Sequence, residues 1–208
     1  MNRDFVASPG RLFLMAAGVV GAVALWWRRN PSACPYSQRF WVEAPHPLIT
    51  RARLAEILDL DPGERVLEVG PGTGYYTPGL AERLGADGTV EVFDIQQEML
   101  DHTIRRARER GLWNVSATRG DARQLPYDDD TFDAAVLITV LGEIPDPGAA
   151  LLELARVLRP GGRLVVGELL GDPHYVTLRS LQRRAEAAGL AFEQRTGPKV
   201  GYFARFRA

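Results

Sequence analysis

Short apolar runs alternate with amphipathic stretches from about residue 48 to the C-terminus. Before the C-terminal region the apolar runs predict five buried strands, at 66–69, 90–94, 115–118, 132–138 and 163–168. Stretches with apolar residues at helical spacing predict helices over 50–60, 75–84, 97–110, 146–158 and 176–188. This alternation of strand and helix predicts an α/β fold with a mostly parallel sheet.

Two further runs, 190–195 and 202–207, flank a turn that contains Gly-Pro-Lys. Strands joined by so short a connection pair antiparallel. The predicted fold is therefore α/β, with a Rossmann-like, doubly wound sheet of seven strands. The sheet is mostly parallel, with an antiparallel C-terminal hairpin, and a hydrophobic N-terminal helix precedes it.

That N-terminal helix is predicted from residues 12–27, sixteen positions without a charge. A helix of this length spans about 24 Å, and flanking arginines such as Arg11 and Arg28 can extend toward the surfaces of a bilayer core of about 30 Å. Trp26 and Trp27 lie where membrane proteins place interfacial aromatics. The pattern favours a membrane anchor. A buried helix or dimer contact stays open, and a cleaved signal peptide is disfavoured by the arginines directly after the run.

The predicted domains are an anchor over 1–29, a linker or active-site lid over 30–47 and a catalytic domain over 48–208. Prolines and aromatic residues in 30–47 argue against one continuous helix. If this segment is a lid, its candidate residues are Tyr36, Phe40, Trp41 and His46. Arginines after the apolar run favour a membrane-anchored protein with its catalytic domain on the cytoplasmic side; a cytoplasmic protein is the alternative.

Composition excludes some classes of function. The formal net charge is −1, which gives no global attraction to nucleic acid. Cys34 is the only cysteine, so neither an intramolecular disulfide nor a cysteine-built metal site is expected. No metal site of any other kind is predicted.

Candidate chemistry begins at the end of the first predicted strand, in the spacing Gly70-x-Gly72-x-Gly74. This spacing differs from the G-x-G-x-x-G of dinucleotide-binding proteins. Glycines allow a tight turn with positive φ, against which a ligand can lie on bare backbone. Glu68 is an acid inside the strand and needs a partner, either the N–H groups of the turn or a ligand ammonium reached through water.

A second acid, Asp94, ends the next strand, twenty residues after Gly74. A carboxylate in this position is placed to accept hydrogen bonds from the two hydroxyls of a ribose. A third acid lies in Gly120-Asp121-Ala122, after the third strand.

Together these motifs resemble the class I S-adenosylmethionine (SAM)-dependent methyltransferases, and most closely the small-molecule branch that includes ubiquinone/menaquinone-biosynthesis and phospholipid N-methylating enzymes. The resemblance covers roughly residue 48 to the C-terminus and includes Leu125-Pro126-Tyr127, Phe132-Asp133 and the run from Leu158 to Gly162. It implies SAM as the cofactor. The cofactor-binding residues it implies are Glu68, Gly70, Pro71, Gly72, Thr73, Gly74, Asp94, Ile95, Gly120, Asp121, Ala122 and Thr139.

Methyl transfer from a sulfonium needs mainly an aligned and dehydrated nucleophile, and it needs a base only if the acceptor must first lose a proton. The first candidate base is Glu143, in the segment after the central strand where many members of the family carry histidine. His174, after the fifth strand, is the second, and Tyr175 the third. A salt bridge or helix cap for Glu143, and a structural hydrogen bond for His174, are equally compatible with the sequence.

The predicted function is transfer of a methyl group to a small acceptor, which an anchored enzyme would meet as a lipophilic molecule: a lipid, a quinone-like ring, a thiol or an amine. Two alternatives stay open. One is a protein of the same fold that binds SAM without turnover. The other is an NAD(P)-dependent oxidoreductase, which the glycine spacing and the lack of a Tyr-x-x-x-Lys pair disfavour.

Overall fold

The computed structural model describes residues 30–43 and 46–208. The predicted N-terminal helix at 12–27, and with it the anchor domain 1–29, lies outside the described residues. Within the described part of the chain, no helix combines the length and apolar character needed to cross a bilayer.

The described residues form six helices and seven strands. The helices are α1 (Phe40–Glu43), α2 (Arg51–Leu58), α3 (Thr77–Leu84), α4 (Gln97–Glu109), α5 (Pro147–Val157) and α6 (Leu178–Ala187). The strands are β1 (Arg65–Val69), β2 (Thr89–Asp94), β3 (Val115–Arg119), β4 (Phe132–Ile138), β5 (Leu158–Leu169), β6 (Ala191–Thr196) and β7 (Gly201–Arg207).

All seven strands form one sheet in the order β3-β2-β1-β4-β5-β7-β6. The first five strands are parallel, and β7 pairs antiparallel with both β5 and β6. The predicted fold class is therefore confirmed, including the C-terminal antiparallel pair and the central position of β4.

Alternating side chains of the parallel strands bury both faces of the sheet. Leu67, Val69 and Leu137 belong to a core under α5 and α6. Val66 and Val136, one position away, belong to a second core under α2, α3 and α4. Continuous apolar runs suit strands that are covered on both faces, which explains why they were visible in the sequence.

Local signals set the helix starts. The side chain of Thr50 caps α2, that of Asp146 caps α5 and that of Thr177 caps α6, each accepting a hydrogen bond from a backbone N–H of the first turn. The predicted start of the fifth strand at Arg163 was too late. The strand already pairs at Leu158, before a register shift on β4.

The amino ends of the parallel strands carry acids paired with arginines. Arg163 pairs with Glu64, which lies just before β1. Arg159 Nη1 lies 2.6 Å from Asp133 Oδ1 at the start of β4. Nearby, Arg205 and Arg207 of β7 both bind Glu193 at 2.8 Å.

The direction in which strands are added reverses at β1, which has β2 on one side and β4 on the other. In open α/β sheets, ligands bind at such a switch point, outside the carboxyl ends of the strands. The loops that follow β1, β2, β4 and β5 meet at this end and carry the predicted site residues.

Candidate active site

The turn after β1 places three glycines in the left-handed region, with φ of +67° at Gly70, +58° at Gly72 and +73° at Gly74. Residues with a Cβ rarely adopt this conformation, so the backbone itself requires glycine. Space is also limiting at Gly70, because an added Cβ would lie 2.3 Å from a methyl carbon of Val140. The close contact brings the segment after β4 against the turn.

Helix α4 binds the carbonyl side of this turn. Thr103 Oγ1 donates to the carbonyl of Gly72 at 3.0 Å, and Arg106 Nη1 donates to that of Thr73 at 3.2 Å. Among the described residues, the N–H groups of Gly72 and Thr73 have no protein acceptor, and neither does the buried Thr73 hydroxyl have a partner. These donors, next to the start of α3, suit an anionic group such as the carboxylate of SAM.

Glu68 is only 3% exposed. Its partner is neither of the two expected groups: Thr77 Oγ1, in the first turn of α3, donates to Glu68 Oε2 at 2.6 Å. Burial raises the pKa of Glu68 to about 7. The carboxyl group is thus held next to the turn in a site where a cationic ligand would favour its charged form.

Asp94 lies at the carboxyl end of β2 and is half-buried. The backbone N–H of Gln96 donates to Asp94 Oδ1 at 2.8 Å, and burial raises the pKa of Asp94 to about 6. Ile95 follows directly and is 53% exposed, which is unusual for so apolar a side chain. A carboxylate beside an exposed apolar surface suits a ribose and its flat base.

The third predicted motif follows β3. Gly120 donates its N–H to the carbonyl of Asp94 at 3.0 Å, so this segment lies against the Asp94 site. Ala122 is buried in the core. The carboxylate of Asp121 is bound by Arg123 at 2.6 Å, and this arginine lowers the pKa of Asp121.

Thr139 follows β4 and has a φ of +56°, a conformation that costs a β-branched residue about 1 kcal/mol or more. Its N–H donates to Gly167 of β5 at 2.8 Å, which holds the strained backbone in place. Thr139, Glu68 and Gly70 line a cavity of about 30 Å³. His46 also lines it and belongs to the predicted linker 30–47, which we call the connector. Strain maintained at a strand end beside a cavity is typical of functional sites.

Glu143 ends a 3-10 turn, Leu141–Glu143. Its Oε2 accepts a hydrogen bond from the N–H of Cys34 at 3.3 Å, and no ion pair of Glu143 occurs among the described residues. Burial, followed by the negative charge of Asp172, raises the pKa of Glu143 to about 8. A raised pKa without an ion pair differs from the environment of a surface salt bridge, the alternative for Glu143 that the sequence left open.

His174 lies next to Glu143 through backbone contact. An added Cβ at Gly142 would lie 1.8 Å from the carbonyl oxygen of His174, so the two loops touch. The N–H of His174 donates to Asp172 Oδ1 at 2.6 Å. The hydroxyl of Tyr175, the third candidate base, donates to the carbonyl of Lys199. Because its proton is engaged in this hydrogen bond, Tyr175 is less suited to act as a base.

Sequence reasoning missed Glu168 and Asp172. Glu168 is 1% exposed; its Oε2 accepts from the N–H of Val176 at 3.0 Å, and its Oε1 has no partner among the described residues. Burial raises the pKa of Glu168 to about 8, and that of Asp172 is raised as well. The available signal was an acid in the apolar fifth strand, the same signal that singled out Glu68.

The connector crosses this end of the sheet. The side-chain amide of Gln96, after β2, donates to the carbonyl of Cys34 at 2.9 Å and accepts from the N–H of Tyr36 at 3.2 Å. Cys34 also reaches Glu143, so the segment bridges the loops after β2 and β4.

The candidate lid residues are placed differently. Tyr36 hydrogen-bonds His102 at 3.1 Å, and the ring of His46 lies 5.7 Å from that of Tyr75. Phe40 is 57% exposed. The side chain of Trp41 lies outside the described part of the chain.

The chain is similar to known methyltransferases in sequence and in fold. Residues 66–162 match a family described as "Methyltransferase domain". The chain is 39% identical to the ubiquinone/menaquinone biosynthesis C-methyltransferase of Idiomarina loihiensis over 107 residues, which cover 51% of this chain and 43% of that protein. It is 40% identical to methyltransferase GfsG of Streptomyces halstedii over 119 residues, which cover 57% of this chain and 42% of that protein.

The chain thus spans less than half the length of these curated relatives. A SAM-dependent methyltransferase from Aquifex aeolicus has the same fold, with a TM-score of 0.77 and 22% sequence identity, over 84% of this chain and 99% of that one. The matched segment holds the glycine turn, Asp94 and Glu143. Residues 66–162 thus match a methyltransferase domain, as the sequence predicted, and SAM is the cofactor that the match and the fold imply.

Proposed function

We propose that the protein transfers a methyl group from SAM to a small acceptor. The observation that carries this proposal is the meeting of the open glycine turn, Asp94 and Glu143 at the carboxyl ends of β1, β2 and β4. Loops at this end bind ligands throughout this class of fold.

The residues present fit SAM in their chemistry. In the proposed arrangement the N–H groups of Gly72 and Thr73 bind the methionine carboxylate, and Glu68 and Thr139 line the inner end of the pocket. Asp94 accepts from the ribose hydroxyls. The adenine base lies near Ile95 and the segment 120–122, where the N–H of Gly120 binds the carbonyl of Asp94 and Asp121 borders the site.

SAM supplies the activated methyl group when it is bound. The protein's part is to orient the acceptor, exclude water and remove a proton where one must leave. Glu143 is the proposed proton acceptor because a carboxylate whose pKa is raised to about 8 is a stronger base than an ordinary one once its own proton has left. His174, in contact with the same turn, is the second candidate.

The class of acceptor is proposed from weaker support. One relative is named for quinone C-methylation, which suggests a quinone-like ring. The uncharged run at 12–27 suggests a membrane anchor and hence a lipophilic acceptor. Recovery of the full chain at intact mass in the soluble fraction, without detergent, would argue against the anchor.

The connector is the proposed lid. Its bonds to Gln96 and Glu143 support this proposal, because these residues lie on the loops where SAM and the acceptor are proposed to bind. A segment that served only as a linker would need no contact with the loop of Gln96 or with that of Glu143.

Calorimetry with SAM, followed by transfer of isotope-labelled methyl to a panel of quinols, phenols, thiols and amines, tests the function. Binding with micromolar affinity and methylation of at least one class are expected. Binding without turnover on any class would favour the catalytically silent alternative. Absence of SAM binding would overturn the proposal.

A further inference from the structure

The loops after β4 and β5 gather three acids and His174, whose charge only partly offsets the raised pKa of Asp172. Glu143, Glu168 and Asp172 are electrostatically linked: Asp172 raises the pKa of both glutamates, and Glu143 raises that of Glu168. No lysine or arginine forms an ion pair with any of the three within residues 30–43 and 46–208. The three do not form a metal-binding arrangement there either.

Contacts fix the geometry of this cluster. The backbone of Gly142 touches that of His174, so the loop that carries Glu143 and the loop that carries Asp172 form one junction. Glu168 lies beneath it, on the face of β5 that belongs to the same core as Leu141. One of its oxygens holds the N–H of Val176, where the second loop ends.

The other oxygen of Glu168 is the second observation. It is buried, and it has no hydrogen-bond partner among the described residues. A buried carboxyl group without a partner costs free energy that a ligand can return. Since the surrounding groups are carboxyls too, the missing partner is a donor that carries positive charge.

SAM alone does not account for this cluster. The carboxylate of SAM is assigned to the loop after β1, and the α-ammonium on the same carbon stays at that loop with it. The ribose is assigned to the loop after β2, and the sulfonium offers no N–H donor. An ammonium group offers three donors and a compact charge, which suits several carboxyl oxygens at once.

We propose that the methyl acceptor is an amine, bound as its ammonium ion by Glu143 and Asp172 above Glu168. The proposal rests on methyl transfer as the function and names the class of acceptor. It differs from a quinone-like ring, which presents carbonyl or hydroxyl oxygens and no cation.

The step balances without a further reagent. The ammonium gives one proton to the carboxylate of Glu143, which leaves a nitrogen lone pair. That pair forms the N–C bond to the methyl group as the S–C bond breaks, and the electrons of the broken bond return to sulfur as a neutral thioether. The N-methylated product keeps the positive charge beside the same acids.

Matched probes test the proposal on the full chain. Octylamine and octan-1-ol, and 2-phenylethylamine and 2-phenylethanol, differ only at the accepting group. Each is titrated by calorimetry into protein saturated with S-adenosylhomocysteine, and its methylation is followed by mass with SAM. Amines are expected to bind about ten-fold or more tightly than the matched alcohols, the value of roughly one charge-assisted hydrogen bond.

Three variants sharpen the result. Glu143→Gln and Asp172→Asn are expected to reduce that preference about ten-fold while leaving S-adenosylhomocysteine binding unchanged. Glu186→Gln, at an exposed position on α6, should change neither quantity.

Equal binding of amine and alcohol would overturn the amine proposal. So would methylation of a quinol or phenol with no methylation of either amine. In both cases SAM binding and turnover on the other acceptor would leave the proposed function standing. Loss of SAM binding would instead count against the proposed function itself.

Discussion

The two ends of the parallel sheet treat their acids in opposite ways. At the amino ends, Glu64 and Asp133 are paired with arginines. At the carboxyl ends, Glu68, Asp94 and Glu168 are bound by a hydroxyl or by backbone N–H groups, with no arginine or lysine in an ion pair among the described residues. The first set is also more exposed: 16% of the Glu64 side chain and 21% of the Asp133 side chain are accessible, whereas Glu68 is 3% and Glu168 1% exposed.

The difference separates carboxyl groups that are neutralised within the fold from those that we propose to lie next to a ligand. An acid that is paired within the chain keeps its charge, and the pair resists separation. An acid that is buried without a countercharge has a raised pKa, as Glu68 and Glu168 do. The acids at the two ends thus differ both in burial and in the identity of their partners.

The largest expected effect comes from Gly72→Val. A β-branched residue at a φ of +58° is strained and fills the space against the turn, so SAM binding should weaken by more than about 3 kcal/mol. The matched control is Gly63→Val, at a φ of +88° in the turn before β1 at the amino end. Calorimetry should show normal SAM binding in the control, and comparable binding in both variants would exclude the turn as the cofactor site.

Asp94→Ala comes next. Loss of a charged acceptor for two hydroxyls should weaken SAM binding by about 2–3 kcal/mol. Asp87→Ala removes an exposed acid outside the site and should leave the dissociation constant unchanged. An unaltered affinity in Asp94→Ala would contradict its proposed contact with the ribose.

Arg163→Met should act on stability and spare ligand binding. It leaves Glu64 as an unpaired acid with only 16% of its side chain exposed, and should lower the free energy of unfolding by about 2 kcal/mol. Urea denaturation measures this loss, with the exposed Arg105→Met as control. No loss of stability would remove the contrast between the two ends.

Glu168→Gln should raise the free energy of unfolding, opposite to Arg163→Met, and its effect should be the smallest of these changes. The pKa of Glu168 rises from 4.5 to about 8 on folding, so this residue contributes stability below pH 4.5 and loses it as pH rises through 8. A neutral glutamine is expected to stabilise the protein by about 1 kcal/mol at pH 9 and to make little difference at pH 4.5. A greater gain at pH 4.5 than at pH 9, in thermal unfolding scans, would contradict this assignment.

The fold was predictable because its strands can be recognised in the sequence. Both faces of the sheet are covered, so each central strand is a continuous apolar run, and the glycine turn has a spacing of its own. Strand β5 was placed too late because Leu158 joins the sheet through a bridge to Phe132 that precedes a register shift. A local pattern carries no signal for such a bridge.

The candidate site was predictable only in part. Asp94 and Glu143 stand out as acids at strand ends, and the structure brings their loops to one end of the sheet. The contacts of Cys34 with Gln96 and Glu143 join residues 62 and 109 positions apart, so no local pattern indicates them. The left-handed backbone of Thr139 was equally hidden, since threonine is not a residue expected there.

The bonds of Cys34 bear on the time course of turnover. Its N–H is held by Glu143 and its carbonyl by Gln96, so spent cofactor would leave only after this segment releases one loop or the other. Openings of this kind limit kcat in many enzymes. A rapid first turnover followed by slower ones is expected in stopped-flow experiments, and Gln96→Ala should reduce the difference between the two phases. The residence time of the product, more than the chemistry of methyl transfer, would then set the rate of this protein.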